Sequence, residues 1–169
     1  MPFGPFHEYF PDVAERETRA VTLLKDADLP AGTYALVELY CNEAGCDCRR
    51  VFLCVVCPPR KDPVAVIAYG WEDRAFYAKW MKDDDPQIIQ GLKGPNLNAF
   101  SPQSKWAPAA LKLVSDIVLK DPAYVARIKR HYEMFRQEVE EGHGEASTRA
   151  PRSAIHRRRR IRPRRRRSR

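Results

Sequence analysis

Residues 33–57 read TYALVELYCNEAGCDCRRVFLCVVC, from Thr33 to Cys57. Two apolar runs rich in β-branched and aromatic residues flank a polar, cysteine-bearing centre. That pattern reads as two strands with a connection too short for the crossover that parallel pairing needs, so the pair is antiparallel. On Thr33–Tyr40, the side chains of Tyr34, Leu36, Glu38 and Tyr40 fall opposite Ala35, Val37 and Leu39, and the near-continuous apolarity predicts cover on both faces. The second run, Val51–Cys57, stops at Pro58-Pro59, where ladder bonding fails.

Outward from this pair, Thr18–Leu24 alternates weakly and Val64–Tyr69 ends at Gly70, which gives four strands between about 18 and 70. From Trp71 the period turns helical. Phe76 with Trp80 and Tyr77 with Met81 share a face, and Asp83-Asp84-Asp85-Pro86 ends that helix. Gly91–Trp106 is turn-rich and reads as an ordered loop. Pro108–Leu119 reads as a second helix. Asp121-Pro122 supplies a cap and first-turn proline for a third, in which Val125, Ile128, Tyr132, Phe135 and Val139 step by three and four. Strands followed by helices predict one α+β domain over 16–141, with a four-stranded, mainly antiparallel sheet and three helices on one face. Residues 1–15 read as an N-terminal extension, and 142–169 as a disordered basic tail.

The chain has 169 residues, 44% apolar and 31% charged, which suits one folded domain and excludes a collagen, a coiled coil or a wholly disordered protein. Its longest apolar run, Val51–Cys57, is far too short to cross a bilayer. The opening MPFGPFHEYFPD lacks the basic and apolar segments of an export signal, so a cytoplasmic location is expected. The net charge of +8 is unevenly held. Of 30 basic residues, 12 are the arginines of 149–169, leaving 18 against 22 acids in the body, a net of −4. The basic character belongs to an appendage.

All five cysteines lie between Cys41 and Cys57. An odd number in a reducing compartment argues against a disulfide framework and turns attention to metal or thiol chemistry. In a hairpin over 41–57, Cys41 ends one strand, Cys48 begins the next and Cys46 sits in the loop between them. Three thiols then converge, and zinc is the ion that favours such soft ligands in a set of about four. Gly45 gives the loop its freedom. Cys54 lies six residues up the strand from Cys48, about 20 Å away, and Cys54 and Cys57 point to opposite faces. For the fourth ligand the candidates are His131 on the last helix, His7, Asp47, or a water. Reduced, packed cysteines are the plainer alternative for the trio, and redox chemistry is a third, with Cys46 and Cys48 too close for an unstrained bridge. Of Arg49 and Arg50, one is expected to be solvated and the other to pair with an acid.

The strings YCNEAGCDCRR (40–50), YGWEDRAFYAKW (69–80) and RHYEMFR (130–136) resemble the recurring signatures of an uncharacterised bacterial protein family. The likeness spans residues 16–138, and the cysteine string is its most specific part. Some members carry a SEC-C zinc knuckle after the last helix, whereas this chain has only arginine there and no CxCGSGxK string. The resemblance implies a shared fold, brings no activity, and transfers no catalytic residue.

Among the last 15 residues, which end in HRRRRIRPRRRRSR, only Ile155 and Ile161 offer anything to a core. Arg157, Arg158, Arg159, Arg160, Arg162, Arg164, Arg165, Arg166 and Arg167 carry fixed, forked charges suited to phosphate, so RNA or DNA contact without sequence readout is expected. No aromatic interleaves them to stack on bases. The absence of lysine, against nine Lys and nine Arg in the body, is also what GC-rich coding drift past a former stop would leave. Nucleophile-elbow, phosphate-loop and zinc-protease motifs are missing. The sequence therefore predicts a small cytosolic zinc-stabilised binding protein with a nucleic-acid-contacting tail. The alternative is a zinc-dependent hydrolase or a thiol/redox enzyme using Cys41, Cys46 and Cys48.

Overall fold

The computed structural model describes residues 3–24 and 28–148, with side chains to Gly142. Its centre is the expected hairpin. Strand β3 (Gly32–Cys41) pairs antiparallel with β4 (Arg50–Val56), Leu39 opposite Phe52 and Ala35 opposite Val56. β4 continues to β5 (Ala65–Gly70) in the same sense, Leu53 opposite Ile67. Tyr34, Leu36, Glu38 and Tyr40 turn inward together, as the alternation requires.

Among the described residues, the sheet has six strands where four are expected. β6 (Asn96–Leu97) pairs with β5, and β1 (Phe3–Pro5) shares the outer edge of β3 with β2 (Arg19–Leu23). β1 covers Leu39–Cys41 and β2 covers Gly32–Leu36, so Val37 and Glu38 fall between them. The segment expected as an extension bridges that interval with α1 (Phe6–Tyr9) and α2 (Pro11–Glu17). Phe6 anchors it, stacking on His131 at 4.2 Å and on Phe10 at 5.0 Å within the core. A three-residue strand leaves too little pattern to read, and its partner lies some 35 residues away.

Among the described residues, six α-helices replace three. α3 (Arg74–Met81) is capped by Asp73, whose carboxylate accepts from the Phe76 amide at 2.8 Å. α3 closes at Met81 on Lys82, at φ 56°, just ahead of the acidic run expected to end it, and Asp85 opens α4 (Pro86–Lys93), accepting from the Gln87 amide at 2.7 Å with Pro86 at the first position. The stretch expected as a loop from Gly91 thus begins inside a helix and also holds β6. Gly94, at φ 62°, lets that chain press on β5, where a Cβ would meet the Ala68 carbonyl oxygen. Beyond β6, Gln103 extends the pairing with its side-chain amide, accepting from Val66 N and donating to Val66 O at 3.0 Å each.

α5 (Ala107–Leu113) runs into one π-helical turn, Val114–Val118. α6 (Pro122–Thr148) starts on Asp121, which accepts from the Ala123 amide at 2.9 Å, and continues seven residues past the expected boundary. Its buried stripe is Tyr124, Ile128, Tyr132, Phe135 and Val139, so Tyr124 takes the place expected for Val125. α1, α2, α5 and α6 close over one sheet face in a single core with Tyr34, Leu36, Val51, Leu53, Val55 and Ile67. The expected single-face arrangement therefore holds for part of the helical set, while α3 and α4 pack at the Gly70 end of β5. The opposite face holds a smaller cluster, Phe52, Val66 and Ala68 with Phe3, Leu39 and Cys54. No helix among the described residues is long and apolar enough to cross a membrane. The expected disordered arginine tail lies outside the described residues.

Candidate metal centre

The β3–β4 connection, residues 42–49, folds as the cysteine spacing requires. Cys41 is the last residue of β3, and the Cys46 amide donates to the Glu43 carbonyl at 3.3 Å to close a turn. Gly45 adopts φ 71°, a conformation that glycine reaches without strain. Arg49, at φ 47°, makes a second sharp bend before β4. The Sγ atoms of Cys41, Cys46 and Cys48 all lie within 4.8 Å of one another, and among the described residues these three alone form the group. All five cysteines are free.

Helix α6 holds this loop. Arg136 donates to the Glu43 carbonyl at 2.8 Å and the Cys41 carbonyl at 3.5 Å, and pairs with Glu140. Glu140 accepts from the Gly45 amide at 2.8 Å. Tyr132 Oη donates to Asp47 at 3.3 Å. From the other side, the Arg49 guanidinium grips Asp47 at 2.9 and 3.1 Å and Glu72 at 3.2 Å, above the Phe76 ring, while Tyr77 Oη donates to the Arg49 carbonyl at 2.9 Å. Of the two arginines it is therefore Arg49 that pairs with acids. Arg50 lies half-buried over Phe52 rather than in solvent.

The thiols share protons unequally. A hydrogen bond from Cys48, with help from the Glu43 backbone, Cys46 and Arg136, lowers the Cys41 thiol to about 6 against the penalty of burial. Donation to Cys41 and burial raise Cys48, and burial together with the neighbouring Cys41 raises Cys46. Cys41 is thus the most acidic thiol of the three. The donor set suits zinc, for which Zn–S bonds near 2.3 Å in a tetrahedron put sulfurs about 3.8 Å apart.

The other expected ligands do not join the trio. Asp47 is held by Arg49 and Tyr132, and His7 is exposed on α1. His131 is 1% exposed, with Nδ1 2.7 Å from Glu38 Oε2 and Nε2 3.2 Å from Glu17 Oε2. Both ring nitrogens are engaged, and they tie α6 to β3 and to the end of α2. Tyr40 Oη lies 2.7 Å from the same Glu38 oxygen. Glu17 carries a lowered pKa, because His131 and Arg130 outweigh the opposing effect of burial. This polar knot was not anticipated, although Glu38 is the one charged residue on the inward face of a strand otherwise lined by Tyr34, Leu36 and Tyr40. That exception is the signal that marks it. Cys57 belongs to the main core and Cys54 to the smaller cluster behind the sheet, on opposite faces as their spacing predicts. The arginines of the tail lie outside the described residues.

No protein-family model, curated protein or solved structure matches this chain.

Proposed function

We propose that this chain is a small zinc-stabilised binding protein. Cys41, Cys46 and Cys48 hold the ion as thiolates and tie the β3–β4 hairpin, while the arginine run from Arg157 to Arg167 gives contact with nucleic-acid phosphate that ignores sequence. The observation that supports it is the convergence of the three Sγ atoms within 4.8 Å at the end of a well-anchored hairpin. Unlike residue types could be brought together by chance packing, but three soft ligands of one kind form the donor set that zinc selects.

Metal analysis of the full chain purified without chelator is the decisive experiment. One zinc per chain is expected, lost in Cys41→Ser, Cys46→Ser and Cys48→Ser and kept in Cys54→Ser. Cobalt substitution should give the thiolate-to-metal charge-transfer band. Metal-free protein with five thiols that titrate freely sinks the zinc reading. For the tail, removing 149–169 leaves every described element intact, so RNA and DNA retention across a salt series is read against unchanged folding. Affinity should fall with a log–log slope of about −0.7 to −0.9 per phosphate contact, and vanish on truncation.

One observation favours a second reading. Only three protein donors converge among the described residues, which leaves a coordination position for water, the arrangement of a catalytic zinc. A zinc-dependent hydrolase then becomes the alternative, and the lowered Cys41 thiol supports a thiol enzyme in the metal-free protein. A fourth sulfur or nitrogen donor seen by X-ray absorption favours the binding protein. An oxygen donor that exchanges with added anions favours the hydrolase.

A further inference from the structure

Behind the sheet, on the face away from α6, lies a second feature that the thiol cluster does not use. Between the sheet and the α4–β6 segment is a cavity of about 450 Å³, bounded by Phe3, Phe52, Ala68, Leu97, Phe100 and Arg50. Its size falls within the range of roughly 300–1,000 Å³ found for small-molecule sites, which are mostly apolar with a few placed polar groups. Phe3 and Phe52 stack with centroids 4.2 Å apart and interplanar angle 15°, a flat aromatic wall. Phe100 is 86% exposed at the rim, an unusual place for a phenyl ring with nothing to cover.

Arg50 is the single charged residue in the lining, and no acid accompanies it. Its guanidinium lies 5.5 Å from the centre of the Phe52 ring. It makes one long hydrogen bond, 3.5 Å to the Gly91 carbonyl, and its Nε is buried with no acceptor. Among the described residues it has no ion pair, whereas Arg49 beside it has two. A half-buried guanidinium that lacks an anion at an apolar cavity is a fork awaiting a carboxylate. The combination of a flat aromatic wall, an exposed phenyl rim and an unpaired guanidinium describes an aromatic or otherwise apolar acid.

We infer that this cavity is a binding site for a small apolar carboxylate, with Arg50 holding the carboxylate and Phe3, Phe52 and Phe100 flanking the hydrocarbon. The site stands independently of the zinc reading. Binding of naphthalene-2-carboxylate and its uncharged carboxamide to the full chain tests it by titration calorimetry at constant ionic strength. The carboxylate should bind about tenfold more tightly, the worth of a hydrogen-bonded charge. Arg50→Gln should abolish that preference while leaving carboxamide affinity unchanged, and Arg50→Lys should retain part of it. Phe100→Ala, at an exposed position where folding is not at risk, should weaken both probes and keep the preference. Metal content and melting temperature of each variant identify any that has lost its structure, in which case Arg50→Lys and Phe100→Ala decide. Equal affinity for the two probes overturns the proposal, as does an absence of saturable binding by either. Carboxylate preference that survives Arg50→Gln in a folded protein belongs to the arginine run and also overturns it.

Discussion

At residue scale, Glu38 and His131 are the acid and the imidazole buried among the described residues, and they lie together. His131, Glu38 and Glu17 form a chain of hydrogen bonds between three elements, with His131 1% and Glu38 6% exposed. Removing one member leaves the other buried without its partner, which is the costly case. His131→Ala should therefore destabilise the fold by about 3–5 kcal/mol in urea unfolding, with part of that loss relieved by adding Glu38→Gln. An unchanged midpoint would mean that the knot is not cohesive. The cysteine trio was legible because cysteine is rare and its chemistry narrow. The fourth ligand was not, because any carboxylate or imidazole within reach of the loop qualifies by type, and only packing reveals that Asp47 and His131 are already engaged.

At the scale of elements, Asp-Pro begins two helices in this chain. At 121–122 it opens α6, and a long apolar stripe beyond it made the start readable. At 85–86 the same pair begins α4, of which only Ile89 is buried, after α3 has already closed on Lys82. Without a stripe behind it the second start was hidden, and the turn-rich composition that follows argued for a loop. Asp85 carries α4 through its contacts to two amides, so Asp85→Ala should cost about 1 kcal/mol. Hydrogen exchange should quicken across 86–93 while β3 and β4 stay protected. Uniform exchange change across the sheet would contradict a local role. β1 and β6 were likewise invisible, being three and two residues long and defined only by the strands they border.

For the whole molecule, the sheet hairpin and the last helix carried the α+β class from sequence to structure, since both rest on long periodic runs. What was missed is the closure around them. One pH dependence follows from the thiol cluster. Zinc requires three thiolates, and Cys46 and Cys48 are raised while Cys41 is lowered to about 6. Loading therefore expels protons chiefly from Cys46 and Cys48, and affinity should strengthen steadily as pH rises from 6 to 8. Competition with a colorimetric chelator at stepped pH checks this, and a flat profile would exclude thiolate ligation. A second dependence belongs to Glu17. Its folded pKa is lowered, so its contribution is present above the unfolded carboxylate value and is lost as pH falls through the folded one. Partial exposure keeps that contribution small.

The outer border of β3 is finished by two strands from the first 23 residues, and the knot that locks them, Glu17 to His131, joins positions 114 apart in sequence. During synthesis the opening segment leaves the ribosome long before its counterpart on α6 exists. Its two strands find their partner once residue 41 has been made, but the lock cannot close before residue 131 exists. A nascent chain halted before residue 131 would hold the border of its central strand without that lock, and less securely closed to a passing extended peptide.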